Sequence, residues 1–256
     1  MGAGFWSTAR AIAGRHLSKL RKNPGLFMPS LILPLCFFVA FAGGLSEVGE
    51  TPDFGYPDYT GFVFVFVLLM GAAFCGVFTA FALAEDLETG FARRLFLSTR
   101  QRMGIVAGFC LAALVQAVVN ALVLFGIGVV AGMDVSGSVV EILGMFALAL
   151  GVNVSASLFA AGVALRLQSA QAAPLMIMPI FVVLFLAPVY TPRDLLKGWL
   201  HTAAGFNPLT AVIEAGRGFL AGQPESVALA FGAALGLVAV LSLWAVLGMH
   251  KAESTV

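Results

Sequence analysis

Residues 85–102 read EDLETGFARRLFLSTRQR and hold seven charged side chains between two long apolar runs: Glu85, Asp86, Glu88, Arg93, Arg94, Arg100 and Arg102. Phe91, Leu95 and Phe96 recur at helical spacing, which leaves Arg93, Arg94 and Arg100 to face water or a partner. Acids leading and arginines following also complement the dipole of a short helix with no partner at all. Reactive patterns are missing elsewhere. Lys19, Lys22, Lys197 and Lys251 each precede a residue other than Ser or Thr, so the chain has no GxxxxGK[ST] phosphate loop. It has no HExxH and no GxSxG, and His16, His201 and His250 are dispersed. Cys36, Cys75 and Cys110 lie in apolar runs without CxxC spacing, as small buried hydrophobes do. No catalytic residue, metal or cofactor is expected on this chain, and no nucleic-acid partner.

Two further polar sets stand out. Gln116 and Asn120, four residues apart, share one face of an apolar run, where an amide must meet another helix or a hydrated path. Helix-to-helix hydrogen bonding is the simpler role, and lining a substrate path the sharper one. Glu214 and Arg217, at i and i+3, suit a mutual ion pair.

The elements that must position these residues are set by composition. Of 256 residues, 60% are hydrophobic and 11% charged. A soluble domain carries about 25% charged residues, so this chain lacks the polar surface to cover a water-soluble globule. It reads as an all-α polytopic membrane protein. Six apolar runs are expected to span: 25–45, 59–84, 103–133, 142–165, 172–190 and 227–249. Prolines interrupt the first and fifth, which membrane helices tolerate where neighbours satisfy the freed carbonyls. Residues 1–23 place Phe5, Trp6, Ala9, Ile12, Ala13, Leu17 and Leu20 on one helical face and five cations on the other, as an interfacial amphipathic helix would. Residues 191–223 form neither a plain loop nor a span. Leu195, Leu196, Trp199 and Leu200 make one amphipathic piece, Asn207-Pro208 breaks it, and 208–220 makes another. Two half-helices of this length point to a re-entrant or interfacial hairpin.

Six spans put residues 1–24, 85–102, 166–171 and 250–256 on one side, with eleven of the 14 Lys and Arg. The positive-inside rule places that side, with both termini, in the cytoplasm. Small-xxx-small pairs at Gly104/Gly108, Gly128/Gly132 and Gly232/Gly236 would let helices approach closely.

The chain as a whole resembles the permease subunits of type-2 ABC transporters, most closely the daunorubicin/doxorubicin-resistance permease group. Glu85-Asp86-Leu87-Glu88-Thr89-Gly90 followed by Arg93-Arg94-Leu95 is similar to that group's acidic-x-x-x-Gly-x-x-x-Arg loop after the second span. Gln168 to Pro179, with the run to Trp199-Leu200, is similar to its fifth-span signature. Asn207-Pro208-Leu209-Thr210 with Ala215-x-Arg217-Gly218 is similar to its NP(V/L)T…A-x-R-G segment. The chain departs from the group at Ser98-Thr99, where a proline is usual, and at Ala187-Pro188-Val189-Tyr190, where small Ser and Ala residues are commoner.

The resemblance implies a coupling helix at 85–102 that docks on a separate cytoplasmic ATPase, with Glu85, Asp86, Glu88, Gly90, Phe91, Arg93 and Arg94 shaping the contact. It implies two permease chains, identical or homologous, and two ATPase subunits that carry the ATP and Mg. The chain would then be a transport subunit in a bacterial plasma membrane and no enzyme by itself. An extracellular hairpin bearing Trp199, Asn207, Pro208, Glu214 and Arg217 would cap the pathway. Phe62, Phe66, Phe74, Met176, Phe181 and Phe185, with Gln116 and Asn120, are candidates to line a greasy route for a hydrophobic or amphiphilic substrate; ordinary helix packing explains the same residues. Two other classes compete: an ATP-independent channel, and a membrane-embedded lipid-modifying enzyme, which would need an interfacial His, Asp or Glu cluster that the sequence does not show.

Overall fold

The computed structural model describes residues 3–50, 54–91 and 102–253. Among these residues the chain forms nine α-helices and no strand. They are α1 (Ala3–Lys22), α2 (Met28–Gly44), α3 (Tyr59–Glu88), α4 (Met103–Val130), α5 (Val139–Leu167), α6 (Ala173–Phe185), α7 (Trp199–Phe206), α8 (Pro208–Ala221) and α9 (Val227–Glu253).

α3 is the axis of the bundle. Its 30 residues cover about 45 Å, well beyond a bilayer's ~30 Å core. The Asp58 carboxylate starts it by accepting from the backbone N–H of Thr60 (2.9 Å) and Gly61 (2.7 Å). Phe, Val and Leu surround the helix on every face, so it must be covered all round. Every residue from Gly61 to Val77 is buried. α5 crosses it where Gly76 leaves room, since a Cβ there would come within 2.6 Å of Ser157 Oγ and 2.7 Å of the Asn153 carbonyl. Asn153 adds a bond across this crossing, its amide donating to the Ala72 carbonyl at 2.8 Å.

α4 and α5 flank α3, and α9 lies outside α5 with most of its surface uncovered. Arg166 fixes that outer pair. Its guanidinium donates to the carbonyls of Gly162 (2.7 Å) and Trp244 (2.9 Å) and stacks over the Trp244 ring, while the indole N–H donates to the Phe159 carbonyl.

Four helices, α3, α4, α5 and α9, are long and apolar enough to cross a membrane. The first and fifth expected runs, 25–45 and 172–190, form shorter apolar helices of 17 and 13 residues. Proline sets both limits. Pro24 heads a 3-10 turn that delays α2 to Met28. Ala187, which precedes Pro188, is disfavoured in the helical region, and α6 stops at Phe185. α3 in turn outruns its expected end at 84 by a full turn.

The 191–223 segment breaks where its sequence says. Asn207 Oδ1 accepts from Leu209 N (3.0 Å) to cap α8, and its amide donates to the Val183 carbonyl of α6 (2.6 Å). Trp199 and Phe206 on α7 are exposed, at 73% and 87%. α8 is the opposite, buried against α3, α5 and α9. Of the small-residue pairs, Gly104 and Gly108 serve α1: a Cβ on Gly108 would lie 2.6 Å from Ile12 Cβ and 2.7 Å from the Ala9 carbonyl. Gly232 and Gly236 meet nothing within the chain among the described residues.

Candidate functional site

The charged end of α3 gathers three elements. Glu85, Asp86 and Glu88 form its last turn, so they sit at the C-terminal end of a long helix and not at the start of a short one. Carboxylates are unfavourable there, because the helix dipole places partial negative charge at that end. Each acid is offset from outside the helix. Arg15 of α1 pairs with Asp86, and Lys19 pairs with Glu85 at 3.3 Å. Glu88 Oε2 accepts from the backbone N–H of Ala170 at 2.6 Å, at the lead-in to α6. Arg15 also stands over the Phe91 ring, 4.2 Å from its centroid. Gly90 turns the chain out of the helix with φ +74, a left-handed conformation that costs other residues strain.

The acids expected to meet a partner are therefore engaged within the chain. Arg93, Arg94 and Arg100 lie outside the described residues. Sequence reasoning missed the link to α1, although five cations and three acids expected on the same side of the membrane were its visible signal. The Arg15–Asp86 pair is half-exposed and contributes under about 1 kcal/mol. It joins α1 to the end of α3. Asp86→Arg should raise hydrogen exchange through α1, and Arg15→Asp combined with it should restore protection; unchanged exchange in the single variant would remove the latch.

α1 docks through Ala9, Ile12, Ala13 and His16, all buried. His16 stands edge-on to Phe109 of α4, with ring centroids 5.7 Å apart. Burial first, and then the neighbouring Lys19 and Arg15, push its pKa down to about 4 against an ordinary 6.5. The imidazole is thus neutral at pH 7 in the folded protein. Between pH 6.5 and 4 the unfolded chain binds a proton that the folded chain refuses, so stability is full above 6.5 and falls as pH drops. The loss should reach about 2 kcal/mol at pH 5. Thermal unfolding from pH 7.5 to 5 would read it, and His16→Phe should flatten the histidine part of that profile.

Gln116 and Asn120 make hydrogen bonds between helices. The Gln116 amide N–H donates to Ser30 Oγ (3.3 Å) and its carbonyl accepts from Thr79 Oγ1 (3.1 Å). Asn120 donates to the Ser30 carbonyl at 2.8 Å. Together they tie α2, α3 and α4. The aromatic candidates pack inside this chain: Phe62, Phe66, Phe74 and Met176 are buried, and Phe181 and Phe185 are half-buried. Phe66 meets Phe41 and Phe185, and Phe74 meets Phe78 and Phe181. The arrangement satisfies the helix-packing account of these rings.

Arg217 corrects its expected role. It forms no ion pair with Glu214. The side chain is 2% exposed, with Nε donating to the Phe62 carbonyl (3.0 Å), Nη2 to the Val189 carbonyl (3.1 Å), and Nη1 unpartnered. Its guanidinium lies 3.3 Å from the centroid of Phe62, inside a cluster with Phe54, Tyr56 and Tyr59. Burial lowers its pKa to about 9, countered by Tyr56, Glu214 and Tyr59, so it stays charged at neutral pH. Desolvation also raises the pKa of Glu214. Arg217 thereby pins α8 to the start of α3 and to the segment after α6.

A family model described as ABC-2 type transporter matches residues 8–220, from α1 to the end of α8. No curated protein matches the chain.

Proposed function

The chain belongs to the ABC-2 type transporter family and is a membrane permease component, and we propose that it works in an ATP-driven exporter of a hydrophobic or amphiphilic substrate, drug or lipid-like. The family normally works with an ATPase subunit. On this reading two copies of a cytoplasmic ATPase carry ATP and Mg, and a second permease chain, identical or homologous, completes the membrane pathway. The resemblance to the daunorubicin/doxorubicin-resistance permeases supports the direction and the substrate class. Six crossings, with α2 and α6 as the shorter two, put both termini and residues 85–102 in the cytoplasm of a bacterial plasma membrane. The cation bias supports that orientation.

One observation carries the coupling role. The end of α3 is joined by ion pairs to α1 and by a hydrogen bond to the lead-in of α6. A force applied after Glu88 would therefore reach α1 through ion pairs and the lead-in of α6 through a hydrogen bond. The ATPase would bear on that loop through Arg93 and Arg94.

The test is purification of this chain from its native host in mild detergent, scoring the proteins that accompany it and the ATP hydrolysed. A stoichiometric ATPase subunit is the expected result. The chain isolated alone under several detergents would overturn the exporter reading in favour of a channel or a lipid-modifying enzyme.

A further inference from the structure

A cavity of about 270 Å³ opens at the charged end of the bundle, between α1, the lead-in to α2, α3, α4 and α6. Lys19, Leu26, Pro29 and Glu85 form its partly exposed rim. From Glu85 it follows α3 inward to Val77, about 12 Å of helix. Met176 closes the far wall. The volume falls just under the ~300 Å³ at which pockets for drug-sized ligands begin, and it suits one slender apolar chain.

Two polar groups line this apolar space. Gln116 is satisfied by Ser30 and Thr79. His16 is not: it is 5% exposed and its Nε2 has no hydrogen-bond partner. A buried polar atom left unpaired destabilises the protein unless something supplied from outside meets it. Charge at the rim is one-sided. Lys19 shares its charge with Glu85, but exposed Arg21 and Lys22 follow it, and no acid occurs anywhere on α1. Clustered cations on an interfacial helix favour acidic headgroups.

We propose that this cavity holds one acyl chain of an anionic phospholipid from the leaflet against which α1 lies, with the phosphate at the Lys19–Lys22 end of α1 and the lipid's polar linkage at His16. Apolar walls favour hydrocarbon over water, the cations select an acidic head, and the orphaned imidazole nitrogen gains a partner. The site joins α1, α3 and α6, so an occupied cavity braces the same three elements as the charged latch. The proposal does not depend on which substrate is exported.

Nanodiscs of phosphatidylcholine doped with a phosphatidylglycerol carrying a diazirine in its acyl chain, holding the full chain, would test it. Illumination should label residues 77–82 and 173–177. Excess unlabelled phosphatidylglycerol should displace the label and excess phosphatidylcholine should not. Arg21→Gln with Lys22→Gln should weaken labelling by about fivefold or more, and Ala82→Phe, which fills the shaft, should abolish it. If Ala82→Phe elutes as aggregate, the surface double variant decides. Label spread evenly onto outward positions such as Leu235 and Val240 of α9, equal competition by phosphatidylcholine, or indifference to the double variant would each overturn the site.

Discussion

Arg217→Leu will lower the unfolding temperature of the purified protein by about 6–12 °C, the equivalent of about 3 kcal/mol. Replacing a buried charge by an apolar residue is often harmless when an ion pair is removed whole. Here no carboxylate lies within ion-pair distance, and the acceptors are backbone carbonyls of Phe62 and Val189 that remain after the substitution. The Val189 carbonyl lies outside any helix, so it loses a partner that the chain cannot replace. Leucine also vacates the face of Phe62 that the guanidinium covers. Arg217→Lys should fall between, since an ammonium keeps the charge without the planar fork that reaches both carbonyls. Glu214→Gln should shift stability by no more than about 0.5 kcal/mol, because Glu214 makes no ion pair with Arg217. An Arg217→Leu protein as stable as the parent, or a Glu214→Gln protein equally damaged, would restore the ion-pair account.

Reversing both arginines of the loop, Arg93→Glu with Arg94→Glu, should abolish ATP-coupled transport and release the ATPase while leaving membrane insertion intact. Lys19 pairs with Glu85, Arg15 with Asp86 and the Ala170 N–H with Glu88, so these acids are engaged within the chain, and the coupling proposal assigns the partner contact to Arg93 and Arg94. Two reversals at a docked contact replace attraction with like-charge or unpaired contacts, each costing several kcal/mol at an interface. Glu85→Gln should act differently. It loosens α1 and weakens coupling by less, since the partner contact itself survives. Transport at the parental rate in the double arginine variant would sink the coupling assignment.

Sequence alone determined the membrane class, the helical content and most element positions, because these depend on local pattern. Apolar runs, the Asn207-Pro208 break and the cation bias are readable without knowing what touches what. The amphipathic face of α1 was readable too: Ala9, Ile12 and Ala13 are among the residues that dock. The partner of that face was not, since Gly104 and Gly108 could have met any helix with a complementary ridge.

Tertiary structure decided the pairings. Glu85 and Asp86 resembled the head of a short helix because nothing local marks the end of α3 before Gly90; the cations of α1, 66 and 71 residues away in sequence, make their place at its C-terminus tolerable. Arg217 looked like the partner of Glu214 because i,i+3 spacing is the only relation a sequence displays. Its real contacts, Phe62 and Val189, lie 155 and 28 residues away, and burial is what selects them: a guanidinium out of water must donate to whatever acceptors the packed helices present. Helix formation is a local equilibrium and can be read locally, whereas the choice of partner for a desolvated charge belongs to the fold.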